Sequence, residues 1–138
     1  MADEKTIRFT VITPARAVFE EDVRGLVVPA FDGELGVLPG HAAFIGLLGS
    51  GPVRVTRPDG SHMSFAIRGG FLQVKSNAAT VLTQEAVRPE EIDSAALDSE
   101  FGEARAAMAR SDEEVEAKEQ KLAWIAARQK VLAAREER

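Results

Sequence analysis

DGELGVLPGH, residues 32–41, decides how this chain is read. Its three glycines and one proline speak against a regular helix or strand, yet Leu35, Val37 and Leu38 are apolar and only Asp32, Glu34 and His41 could carry charge. Glycine permits positive φ and close backbone approach, and Pro39-Gly40 presets a turn, so an ordered loop is expected. Its apolar side chains can fold back over one end of a domain or dock on another protein with Glu34 as a polar anchor.

On both sides of this loop the pattern is that of strands. Ile7, Phe9 and Val11 alternate with Arg8, Thr10 and Ile12, the runs 18–19 and 23–28 are β-rich, and Val53 and Val55 alternate with Arg54 and Thr56. Pro58-Asp59-Gly60 predicts a hairpin turn between 53–57 and 63–67, because proline fixes φ and glycine accepts φ > 0. Gly69-Gly70 breaks the next run, and Ser76-Asn77 separates 71–75 from 80–85. About eight short strands spaced by turn residues predict an antiparallel β-sandwich or flattened barrel over residues 1–87.

At Pro89 the composition changes. Proline suits the first helical position, and Glu90 and Glu91 follow where the helix dipole favours acids. Leu97, Phe101, Ala104 and Met108 then form one apolar stripe, interrupted by Gly102. Ser111 with Glu114 is a capping-box pattern that starts a second helix reaching about Arg135. On that helix Val115, Leu122, Ala126 and Ala133 share a face with Ile125 and Leu132 beside it, while Trp124 and Val131 project from the opposite side. Residues 88–138 are therefore expected to form an antiparallel helix hairpin, giving an α+β chain of two parts. Its alanine-rich face buries little area per residue, so its hold on the sandwich should be modest.

Composition narrows the functional classes. A net charge of −5 opposes a broad nucleic-acid footprint. The absence of cysteine removes disulfides, thiolate nucleophiles and cysteine-based zinc sites. Only His41 and His62 are present, without metal-ligand spacing, so no metal site is expected. The glycine-rich GSGP at 49–52 lacks the lysine of a phosphate loop and reads as a turn. Glu20, Glu21 and Asp22 are adjacent and cannot converge as an acid/base pair, so they read as a solvated loop. The N-terminus has acidic residues where a secretory signal would be basic, and the apolar run 42–48 is too short to span a bilayer. Any membrane association is therefore expected through a partner.

The element Phe31-Asp32-Gly33-Glu34-Leu35-Gly36-Val37-Leu38-Pro39-Gly40-His41-Ala42, followed by Arg68-Gly69-Gly70-Phe71-Leu72-Gln73-Val74, closely resembles the epsilon subunit of F-type ATP synthases. Ala43 stands where that family often has proline, and Gln73 where glutamate is common. The resemblance covers the whole chain and implies a non-catalytic rotor component on the cytoplasmic face of the bacterial inner membrane. It implies a central-stalk subunit that joins the gamma subunit to the proteolipid ring and couples proton translocation to ATP synthesis. Gly33, Glu34, Leu35 and Gly36 would meet the polar loops of the ring, and Thr13 and His41 would lie toward gamma. In the family the helices can lie folded or extend toward the alpha and beta catalytic subunits and inhibit ATP hydrolysis. The cations implied for that contact are Arg105, Arg110, Lys118, Lys121 and Arg128, whose alternative role is solvated surface with pairs such as Glu114 and Lys118.

Some members bind ATP through an Ile/Leu-Asp-x-x-Arg-Ala motif. Ile92 and Asp93 match it, but Ala96 replaces the arginine that would face phosphate, which weighs against nucleotide binding. No cofactor is expected. Read without the resemblance, the same residues also allow a β-sandwich adaptor with a mobile helical arm, and a small-molecule enzyme comes last for want of nucleophiles and metal ligands.

Overall fold

The computed structural model describes residues 5–136. Among them are ten strands: β1 (Ile7–Ile12), β2 (Ala17–Val23), β3 (Gly25–Ala30), β4 (Gly33–Val37), β5 (Phe44–Leu48), β6 (Gly51–Thr56), β7 (His62–Ile67), β8 (Gly70–Lys75), β9 (Ala78–Leu82) and β10 (Ala86–Val87). Neighbours pair in the order β10-β7-β6-β3-β5-β8-β9-β1-β2, with β4 along the other side of β3. Every pairing is antiparallel except β1 with β9. β3 and β5 meet through the Ala30–Leu48 pair, where the ribbon folds into two layers.

One layer holds β4, β3, β6, β7 and β10, and the other β5, β8, β9, β1 and β2. The inward residues of each strand fill the space between them: Ile7, Phe9, Val11, Val28, Val53, Ile67, Leu72 and Val81 are fully buried in one continuous core. Phe9, Phe19 and Phe65 stack through it at 5.5 and 5.7 Å between centroids. Two arginines close the seam between β2 and the opposite layer. Arg88 donates to the Val18 carbonyl at 3.0 Å, and Arg57 pairs with both oxygens of Glu21 at 3.1 and 3.3 Å.

The opening decapeptide differs from its expectation. Residues 33–37 are a regular strand, β4, antiparallel to β3. Leu35 and Val37 alternate inward with Gly36 between them, and Val37 is fully buried. Glycine is tolerated because β4 is an edge strand with open space beside Gly33 and Gly36. Glu20, Glu21 and Asp22 likewise lie in β2, not in a loop: Glu20 and Asp22 face Arg8 while Glu21 faces Arg57. The Pro58-Asp59-Gly60 turn forms as expected, with Gly60 at φ 87. Ser76 and Asn77, at φ 51 and 58, make a two-residue connection between β8 and β9.

After β10 the chain makes a 3-10 turn at Pro89–Glu91, and α1 (Ser94–Ala106) follows. Asp93 caps α1 by accepting from the amides of Ala95 and Ala96, so the helix starts at Ser94, five residues later than Pro89 suggests. α2 (Asp112–Glu136) starts at the capping box, where Ser111 accepts from the Glu114 amide and Glu114 accepts from the Arg110 amide. Because α1 ends at Ala106, Met108 falls outside the stripe and is exposed.

The faces of α2 also differ from expectation. Trp124, Ala127 and Val131 pack on Ala66 of β7, while Ile125, with Leu122 and Leu132, packs against Leu97, Phe101 and Ala104 of α1. Val115 and Ala133 are exposed. The Trp124 side, expected to project opposite the apolar face, is the docking face toward the sandwich.

Candidate interaction surfaces

α2 lies over the outer face of β6 and β7, and the outer face of the other layer carries an exposed apolar row. Register places Leu47 beside Phe71, Phe71 beside Leu82, and Leu82 beside Ile12. Phe31 extends the row past the Ala30–Leu48 pair, its amide donating to the Leu47 carbonyl at 3.0 Å. Phe31 is 80% exposed, Leu47 55%, Phe71 51%, Leu82 48% and Ile12 36%. Neighbouring strands lie roughly 4.8 Å apart, so the row runs about 19 Å across the layer. Ile45, also exposed, stands one step along β5. Further along, the face turns polar through Lys75, Arg8 and Asp22. A contiguous exposed apolar strip of this kind marks an interaction face.

Thr13 follows β1 at the apolar end of this face, where its hydroxyl donates to the Arg16 carbonyl at 3.1 Å. His41 precedes β5 at the polar end, exposed, with its ring 5.2 Å from Phe44. The two residues therefore flank one face from opposite ends and from strands three apart, β1 and β5.

The β3–β4 turn holds the second surface. Gly33, Glu34 and Gly36 are exposed, whereas Leu35 turns onto the core. Arg54 of β6 donates to both oxygens of Glu34, at 3.1 and 3.5 Å, and the pair is largely solvent-exposed. The apolar tip of this turn is Phe31, a residue of the family element to which the resemblance assigns no contact.

The five cations of the hairpin divide. Arg105, Arg110 and Lys121 are exposed. Lys118 does not pair with Glu114; its Nζ donates to the carbonyls of Arg105 and Ala107 at 3.0 and 2.9 Å, at the C-terminal end of α1 where a cation is favoured. Arg128 is mostly buried against Glu100 and Trp124. Ile92 packs under both helices and Asp93 is spent as the α1 cap, so both residues of the nucleotide motif have structural employment here. Among the described residues no cluster of acids and histidines could hold a metal ion, and no helix is long and apolar enough to cross a membrane.

A family model described as the ATP synthase, Delta/Epsilon chain, beta-sandwich domain matches residues 6–89. The chain belongs to that family. Its curated relatives are epsilon chains: one from Pelotomaculum thermopropionicum is 47% identical over 90 residues, 65% of this chain and 66% of the relative. Another, from a Synechococcus species, is 36% identical over 129 residues, 94% of this chain and 93% of the relative. Among solved structures, a chain in the OSCP/F1/c-ring portion of the Euglena gracilis mitochondrial ATP synthase aligns with TM-score 0.81 and 28% identity, covering 92% of this chain and 81% of that one. A chain of the Tetrahymena thermophila central stalk and c-ring shares the fold, with TM-score 0.70 at 13% identity. The similarity to an epsilon chain thus extends over nearly the whole sequence.

Proposed function

We propose that this epsilon chain is a non-catalytic central-stalk subunit that joins the gamma subunit to the proteolipid ring and transmits rotation between proton translocation and ATP synthesis. The observation that carries the reading is the row Phe31, Leu47, Phe71, Leu82 and Ile12, an apolar strip on the layer that the helices leave open. Gamma is assigned to that strip, with Thr13 and His41 at its two ends. Gly33, Glu34 and Gly36 are assigned to the polar loops of the ring, and Leu35 braces them from the core side. The proposed position is peripheral and on the cytoplasmic face, with contact to the membrane running through these partners. Residues 1–87 act as the assembly unit and residues 88–138 as a regulatory arm. When extended, that arm presents Arg105, Arg110, Lys118, Lys121 and Arg128 to the alpha and beta subunits and restrains hydrolysis.

The test is ATP hydrolysis by the reconstituted catalytic complex, with full-length chain compared with a truncation ending at Arg88 at matched occupancy. Activation on truncation supports the inhibitory arm. Unchanged hydrolysis with the truncated chain still bound rejects it and leaves assembly and coupling to the sandwich. Co-purification of the chain without any ATP synthase subunit would reject the whole reading in favour of an independent adaptor.

A further inference from the structure

We propose that Arg128 is the latch that keeps the hairpin folded, binding α1 to α2 through Glu100 and holding Trp124 on the sandwich. The inference deepens the proposed regulatory role of the helices and rests on that reading.

Arg128 stands between the two packing faces of α2. Its guanidinium donates to both oxygens of Glu100 on α1, at 2.6 and 2.9 Å, and its carbon lies 4.9 Å from the centre of the Trp124 ring. Trp124 in turn packs on Ala66 of β7. One side chain therefore touches both the contact that joins the helices and the contact that joins α2 to the sandwich. Its side chain is 14% exposed and that of Glu100 35%, so the pair is sheltered although not fully desolvated. A planar fork can satisfy two carboxylate oxygens while stacking on an aromatic ring, and lysine cannot do both.

The second tie is Lys118, which holds the end of α1 from α2. It lies at the tip of the hairpin and does not reach the sandwich, so it cannot couple the two separations as Arg128 does. If Arg128 couples them, undocking of α2 from β7 and separation of α1 from α2 occur as one event. Arg128 then has two exclusive roles: in the folded hairpin it is occupied by Glu100, and it becomes available to a partner only after release.

The chain has one tryptophan and no tyrosine, so Trp124 emission reports docking without interference. The experiment compares the full-length chain with Glu100→Gln, Arg128→Gln and the double variant, using Trp124 emission and amide exchange of residues 94–135, with the β-strand amides as the folding control. Each single variant is expected to red-shift the emission and speed exchange in both helices by about tenfold, the scale of one charge-assisted hydrogen bond after screening. The double variant should match Arg128→Gln, because Glu100 acts through Arg128. Unchanged emission, exchange that rises in α1 alone, or additive effects in the double variant would overturn the latch. In the reconstituted complex, Glu100→Gln is expected to deepen inhibition of hydrolysis, since it frees the hairpin and leaves Arg128 in place. A red shift with unchanged hydrolysis would retain the latch and reject the inhibitory arm.

Discussion

Replacing Phe71 with alanine tests the proposed gamma-binding face directly. Phe71 sits in the middle of the row between Leu47 and Leu82, and 51% of its surface is exposed. A phenylalanine presents roughly 200 Å² to bury, so about 100 Å² is left for a partner to cover. At about 25 cal/mol per Å² this corresponds to about 2.5 kcal/mol of binding, or roughly 60-fold in affinity. The folded chain loses less, about 1 kcal/mol, since what it forfeits is cross-strand contact on an outer face. Titration calorimetry of the purified gamma subunit, with thermal unfolding of the free chain as control, separates the two effects. A matching change at Lys75, on the same strand but at the polar end of the face, should leave binding nearly intact. Unchanged affinity for the Phe71 variant, or equal losses at Phe71 and Lys75, would refute the assignment of gamma to the apolar strip.

Backbone geometry, helix propensity and the Glu100–Arg128 pair each give a further outcome. Gly70 has φ 120 and a Cβ there would overlap the Leu82 carbonyl oxygen, so Gly70→Ala should lower unfolding free energy in urea by about 3 kcal/mol. Gly102, by contrast, lies in α1 with open space around it, and Gly102→Ala should slow amide exchange in α1 by an amount equivalent to about 1 kcal/mol. Glu100 is held below the ordinary glutamate range, chiefly by its hydrogen bonds from Arg128 and against the opposing effect of burial. Its contribution is complete above the unfolded-state value near about 4.3 and lost as pH falls through the lower folded value, so Trp124 emission should be flat near neutrality and red-shift in acid, a response that Glu100→Gln removes.

The strands were legible where one face alone is buried. In β1, Ile7, Phe9 and Val11 are fully buried while Arg8 and Ile12 are exposed, and the period of two appears directly in the sequence. β4 was hidden because two of its five residues, Gly33 and Gly36, are glycine, so the Leu35–Val37 alternation read as loop. β5 held the signal for the apolar row. Phe44, Ile45, Leu47 and Leu48 are apolar on both faces of one short strand, and such a strand needs cover on both faces. The interior supplies one cover and the fold leaves the other open. Phe31 stands in the family element, but its place in the row was not legible, since only the register between β3 and β5 puts it beside Leu47. The capping residues at Ser111 and Glu114 were legible because capping is local chemistry. The roles of Arg128 and Lys118 were not, because their partners lie on α1, 28 and 11 to 13 residues away.

The two faces of the sandwich determine what regulation through the hairpin can involve. α2 rests on the outer face of β7, whereas the apolar strip crosses β5, β8, β9 and β1 in the other layer. A partner seated on the strip therefore does not compete with Trp124 for Ala66, and the hairpin need not open for the sandwich to assemble on a stalk. Competition occurs within the hairpin itself. Lys118 and Arg128 are committed to α1 when folded, leaving Arg105, Arg110 and Lys121 as its exposed cations from the original set of five. An extended arm would present all five, so its electrostatic attraction for an acidic partner should strengthen on release. Opening thus costs the Glu100 and α1-end contacts and gains two cations for the partner, which makes the balance between the states sensitive to ionic strength at the partner contact more than at the sheltered latch.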